Sequence, residues 1–218
     1  LGDVYKRQTV YNYDSVSGGN AIENNGVLSI YSGIITSVGG NSLDNNNGTA
    51  SIFGGTFNGT ISLFNDATLY LSGTPTISDN IYLSSTTAKL YGRNEARTAS
   101  YTGSKIGVMC NLTYFTSKQP AVYDGTIAYF NCLNPGFSFV ANGSNLDIDL
   151  NAATVTKSSG INKTYNGSAS NISVTPSHTL SVSYSYQWYN SSGTAISGAT
   201  TNTLSRTNVA DSGTYYCV

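Results

Sequence analysis

The sequence predicts an all-β chain, built as a right-handed parallel β-helix followed by a smaller β module, and three observations carry this. Charged residues make up 10% of the 218 residues, against roughly 25% in an ordinary globular chain. Aromatics make up 11%, with 17 Tyr and 23 Gly, so the low charge is not that of a disordered chain, which is poor in aromatics. Tyr, Thr, Val and Ile suit a pleated, half-exposed surface, and Gly, Asn and Ser suit tight corners. The third observation is a repeat of about twenty residues.

Taken in order, residues 1–8, "LGDVYKRQ", resemble translated adapter sequence and are expected to be non-native. From 9 to 150 the β-helix is read from four segments, "AIENNGVLSIYSGIIT", "SLDNNNGTASIFGGTF", "SLFNDATLYLSGTPTI" and "YLSSTTAKLYGRN". Aligned, they place Ile30, Ile52, Leu71 and Leu90 in one column, at spacings of 22, 19 and 19. Leu28, Ala50, Leu69 and Ala88 stand two residues earlier, which is the alternation of a strand with one buried face. A second strand gives the column Ile22, Leu43, Leu63 and Leu83. Polar corners, "ENNG", "DNNNG", "FNDA" and "SSTT", separate the two. One turn of such a coil cannot bury its own apolar side, so stacking of turns makes the core. A β-sandwich of short strands also gives regular strand spacing, but it does not explain columns that recur four times.

Further along, Ile106 with Val108 and Ile127 with Tyr129 keep a spacing of 21, and "NLDIDL" at 145–150 supplies a last alternating strand. These are read as C-terminal turns of the coil. The charged stretch from Gly92 to Ser104 breaks the period and reads as a loop. This region resembles the β-helical, Gly/Asn/Thr-rich segments of large secreted surface proteins of gut bacteria, some of them pectin-lyase-like.

Residues 151–160, "NAATVTKSSG", read as a linker. Beyond it, Trp188 and the D-x-G-x-Y-x-C run of Asp211, Gly213, Tyr215 and Cys217 resemble the immunoglobulin superfamily in its bacterial Ig-like form. The resemblance implies a Trp188 that fills the core, a Tyr215 that forms a tyrosine corner, and a Cys217 that faces another strand. No Cys lies between Cys132 and Cys217, so Ile172 or Val174 would stand where the family often has its first cysteine, leaving Cys217 as a small buried hydrophobe. The chain stops inside what would be strand F. Residues 161–218 are therefore expected to form an incomplete Ig-like β-sandwich without strand G, marginal in stability, in a fragment of a longer protein. Cys110 and Cys132 are 22 residues apart, close to one turn, and their pairing is left open.

Candidate chemistry is sparse. The single histidine, His178, has no second ligand or triad partner at useful spacing, so no metal and no cofactor are expected. Glu23, Asp44 and Asp66 fall near one corner on successive turns, and Arg93, Glu95 and Arg97 share the loop. Carboxylates placed so would suit a polysaccharide lyase or glycoside hydrolase, but alternation with Asn favours turn capping. A more pointed pattern lies beside the buried column. Tyr31, Phe53, Tyr70 and Tyr91 are expected to form an outward aromatic ladder, a surface on which sugar rings or a partner could stack.

A net charge of -1 with 10 Lys+Arg provides no basic patch for nucleic acid. No apolar run approaches the roughly 18 residues that span a bilayer. The expected function is therefore non-enzymatic display, adhesion or glycan contact, outside a bacterial cell or on its wall, with glycans or host or bacterial surface proteins as partners. A carbohydrate-active enzyme and a pure spacer are the alternatives.

Overall fold

The computed structural model describes residues 3–5, 8–12, 19–158, 168–178, 180–181 and 183–218. Residues 1, 2, 6 and 7 of the adapter-like segment, linker positions 159–160, and the expected onset of the second module at 161–167 lie outside them. The described chain is almost wholly β, apart from one 3-10 turn at Val209–Asp211. It divides into two compact units, Leu1–Leu150 and Asn151–Val218.

The first unit is a β-solenoid of about five turns. Its strands distribute over three sheets of eight, four and six strands, called here the first, second and third sheet. One full turn runs through Leu43–Asn46 on the third sheet, Thr49–Ile52 on the first and Thr56–Asn58 on the second. The next repeats it with Ile61–Phe64, Thr68–Leu71 and Thr76–Ile77, each strand parallel to its predecessor. Asp3–Tyr5 and Gln8–Asn12, which overlap the adapter-like segment, pair parallel with Val27–Ile30 and Gly33–Ser37.

The Asn-rich corners have a conformational reason. Asn47 and Asn65 sit one turn apart with φ of 61° and 51°, in the left-handed region that Asn tolerates better than most residues. Asn65 Nδ2 donates to Asn46 Oδ1 at 2.6 Å, tying one corner to the next. Below them, Asn24 and Asn45 point inward. Asn24 Nδ2 donates to Asn45 Oδ1 at 2.7 Å, and Asn45 Nδ2 donates to the Thr68 carbonyl at 2.9 Å, so these buried amides are satisfied. A Cβ on Gly48 would lie 2.4 Å from Asn24 Nδ2 and 2.7 Å from Asn45 Oδ1, so only glycine fits over this pair.

Ile30, Ile52 and Leu71 lie in register on the first sheet and are fully buried. The other column assignments need correction by two residues. Leu90 pairs with Leu69, not Leu71, and so belongs to the column of Leu28 and Ala50. On the third sheet Leu63 and Leu83 align with Asn45, whereas Leu43 aligns with Ile61 and Ile81. A slip of two preserves which face is buried, so the alternation is the same in either register.

The upper turns depart further. Residues 92–105 replace a second-sheet strand: Gly73 N donates to the Ser100 carbonyl and Thr102 N to that of Gly73, with Tyr101 buried beneath. On the third sheet Ile106 pairs with Phe130 and Val108 with Cys132, a register of 24 rather than the expected 21, and Ile127 is exposed. "NLDIDL" is not another parallel rung. Asn145–Leu150 runs antiparallel to Gln119–Tyr123 and forms a hairpin with Phe137–Asn142 through Gly143, whose φ is 61°. A two-residue turn with a positive-φ glycine reverses the chain at once, and the hairpin closes the first sheet.

The second unit has two antiparallel sheets. Thr154–Lys157, Ser170–Ser177 and Thr203–Arg206 form one, and Trp188–Asn190 pairs with Tyr215–Cys217 in the other. Thr154–Lys157 thus lies as a strand within the stretch expected to be a linker. Trp188 and Leu204 are its buried apolar residues among those described, a thinner core than the solenoid's. Cys217 is half-buried and Ile172 and Val174 are partly exposed, so the expected buried position of Cys217 is not reached.

Ile52 lies mid-column with equivalents above and below. Ile52→Ala is expected to lower the stability of the first unit by about 2–5 kcal/mol, read as a lower urea midpoint in the first unit's transition. A midpoint within error of wild type would contradict the stacked-core account.

Candidate ligand-contact face

Residues that alternate with the buried columns of the first sheet face outward, and there the predicted aromatics gather. Tyr31 stacks on Phe53 with ring centroids 4.7 Å apart and planes 8° from parallel. Tyr70 stacks on Tyr91 at 4.8 Å and 22°, and Tyr91 on Tyr123 at 5.1 Å and 30°. The four predicted residues therefore belong to two rows rather than one ladder. Tyr31 and Phe53 follow Ile30 and Ile52, and the next position in their row is Ser72, which is buried. Tyr70 precedes Leu71 and aligns instead with Ser51 and Ser29.

Tyr123 extends the second row and is absent from the sequence prediction. It lies 32 residues after Tyr91, because the loop and a third-sheet strand intervene, so a period of twenty passes over it. The local text did carry a signal: "TLY", "KLY" and "AVY" each place Tyr directly after an inward residue.

Within each row the ring faces cover one another. What is presented outward is ring edges, hydroxyls and the outer faces of terminal rings. No described residue hydrogen-bonds the hydroxyls of Tyr70, Tyr91 or Tyr123. Burial pushes the Tyr70 phenol up, reinforced by Tyr91 and Glu95 and opposed by Arg97, which puts the loop charges beside this row. Burial likewise raises Tyr123, with Tyr91 and Asp147 adding to it.

Arg93 forms an ion pair with Asp124, at the loop's junction with the row. The hydrogen bond from Arg93 holds the Asp124 carboxyl below its ordinary value of 3.8. Asp147 is buried, and its Oδ2 accepts a 2.8 Å bond from Asn142 Nδ2.

The acidic corner does not assemble as predicted. Glu23 and Asp44 are register neighbours on the third sheet, and Asn20 Nδ2 donates to both, at 3.3 Å to Glu23 Oε1 and 2.9 Å to Asp44 Oδ2. Burial, and then Glu23 across from it, push the Asp44 carboxyl up against the opposing bonds from Asn20 and Asn41. Asp66 lies at the corner beyond Phe64, where its N–H reaches Asn47 Oδ1. His178 is engaged by main chain on both ring nitrogens: Nε2 meets the Asn151 carbonyl at 2.7 Å and Nδ1 accepts from Leu180 N at 3.0 Å. No group of three His, Cys, Asp or Glu side chains converges among the described residues.

Cys110 and Cys132 are free. Cys132 aligns with Val108, which puts Asn134 opposite Cys110. The Asn134 side chain completes the ladder there, with Oδ1 accepting from Cys110 N at 2.8 Å and Nδ2 donating to Cys110 O at 2.7 Å. Burial raises both thiols, so neither is a reactive thiolate. A cavity of about 180 Å³ near them is lined by Ile127, Phe130, Phe137 and Phe139.

In the second unit, Trp188 Nε1 donates to the Thr201 carbonyl at 2.8 Å, and the Tyr215 hydroxyl donates to the Asp211 carbonyl. Compared with family models, curated proteins and solved structures, the chain has no match.

A carboxyl with a folded pKa below its unfolded one contributes stability that is complete above the unfolded value and is lost as pH falls through the folded one. Asp124→Asn is therefore expected to destabilise the first unit at neutral pH, with the gap to wild type closing as pH falls below 3.8. Urea unfolding across a pH series checks this, and a gap that stays constant with pH would refute it.

Proposed function

We propose that the chain is a non-enzymatic surface module, extracellular or associated with a bacterial cell wall, in which a β-solenoid joined to an Ig-like domain serves display, adhesion or glycan contact. The observation that supports this best is the pair of outward aromatic rows on the first sheet, Tyr31–Phe53 and Tyr70–Tyr91–Tyr123. Aromatic side chains combine apolar area with low conformational entropy, and the phenols add a polar edge that suits glycans or a protein surface. Because neighbouring rings cover each other, contact runs through edges, hydroxyls and the exposed Tyr31. The reading also draws on the resemblance of the repeats to pectin-lyase-like segments of bacterial surface proteins. An Ig-like second unit is supported by its two antiparallel sheets, by buried Trp188, and by the Tyr215 hydroxyl bonded to main chain four residues upstream, as in a tyrosine corner. Several weak contacts along the first sheet of the solenoid add through effective concentration.

One observation favours a second reading as a carbohydrate-active enzyme: the raised Asp44 carboxyl beside Glu23 has the character of a general acid. Turnover of pectin-like or mucin-type glycans that is lost in Asp44→Asn and kept in Asp66→Asn would replace the first reading with this one.

A glycan array and a cell-surface binding assay test the contact face. Wild type is expected to bind, and Tyr31→Ala with Phe53→Ala to bind about tenfold or more weakly, equivalent to about 1.4 kcal/mol or more. No binding by wild type and no change in the double variant would leave a pure spacer, whereas binding that the double variant retains in full would place the contact away from Tyr31 and Phe53.

A further inference from the structure

We propose that Tyr91 is an oxidative cross-linking site that forms a dityrosine bond between turns, with Tyr70 on one side or Tyr123 on the other. Tyr70, Tyr91 and Tyr123 are direct register partners on adjacent parallel strands. Neighbouring strands lie about 4.8 Å apart, within the Cα separations of roughly 4.4–6.8 Å over which a disulfide joins two residues. The side chains leave the sheet in the same direction and their rings stack with centroids 4.8 and 5.1 Å apart and planes 22° and 30° from parallel, which sets the phenols of each pair side by side. The three rings are partly exposed, and no described residue holds their hydroxyls.

Among the described residues, the other tyrosine pair of this unit lacks that arrangement. Tyr101 and Tyr129 meet edge-on at 85°, and Tyr101 is buried. The central position of Tyr91 gives a radical formed there a coupling partner on either side.

The chemistry balances with hydrogen peroxide as terminal oxidant, delivered in one-electron steps by a haem peroxidase. Each of two phenols loses an electron and its hydroxyl proton. The two phenoxyl radicals then form one carbon–carbon bond between ortho carbons, and both rings regain aromaticity as the ortho hydrogens move to oxygen. The two electrons and two protons reduce one peroxide to two waters, and the protein becomes two hydrogen atoms lighter. Such a bond would staple successive turns in a unit whose cysteines are free.

The test uses the whole chain carrying Tyr216→Phe, so that the stacked Tyr189–Tyr216 pair contributes nothing. The protein is treated with peroxidase and peroxide, and the monomeric fraction is examined for dityrosine fluorescence and for cross-linked peptides by mass spectrometry. The expected result is a peptide joining Tyr91 to Tyr70 or Tyr123, lost in Tyr91→Phe, which keeps a stackable ring, and retained in Tyr31→Ala. A monomer signal unchanged by Tyr91→Phe, cross-linked peptides without Tyr91, or dityrosine found only between chains would each overturn the proposal.

Discussion

The solenoid depends on one constraint: the backbone of each strand must be hydrogen-bonded to the turn before and the turn after, and that ladder forces equivalent side chains to lie one above another. Ile52 is fully buried because Ile30 and Leu71 on the adjacent turns roof and floor it, not because its own turn encloses it. Full burial of such a side chain is worth about 1.5–3 kcal/mol, and the gain repeats with every turn. Polar residues can enter the same columns only when they satisfy themselves along the axis, as Asn24, Asn45 and Asn134 do through amide bonds to the next turn or to main chain.

The outer surface inherits this register. Because parallel strands repeat at one fixed spacing, any residue type that recurs on the outward face becomes a row, and aromatic rings in a row stack. The two aromatic rows are therefore a direct product of the core's alternation. They are separate rows because Tyr31 and Phe53 follow the column of Ile30, Ile52 and Leu71 while Tyr70 precedes it. Stacking also decides what the face can offer a partner, since a ring covered on both sides presents only its edge and hydroxyl. The charged loop at 92–105 frames the second row, with the Arg93–Asp124 pair pinning it to the strand that carries Tyr123.

Much of this was legible in the sequence, and the failures share a cause. The inward positions and the corners were readable, since alternation and Asn at left-handed corners are local properties. The two-residue slips at Leu90 and Leu63 escaped because either register buries the same face. The jump to a register of 24 and the skipped Tyr123 arose where a loop of different length replaced a strand, which fixed-period alignment cannot follow. The hairpin at the end had a local signal in Asn142–Gly143, but continuation of the repeat made it read as another rung. The acidic corner failed likewise: Glu23 and Asp44 became neighbours while Asp66 fell in a different part of the turn.

By itself the sequence determined the all-β character, the coil of about twenty residues per turn, which side chains face inward, and the presence of outward aromatics. These follow from period-2 alternation and turn chemistry, which act within a few residues. Only the tertiary structure decided which residue sits above which: the pairing of Tyr70 with Tyr91 and Tyr123, the separation of Asp66 from Asp44, the amide of Asn134 opposite Cys110, and the antiparallel cap. Those depend on hydrogen-bond register between strands a whole turn or more apart, where a shift of two residues leaves the hydrophobic pattern unchanged.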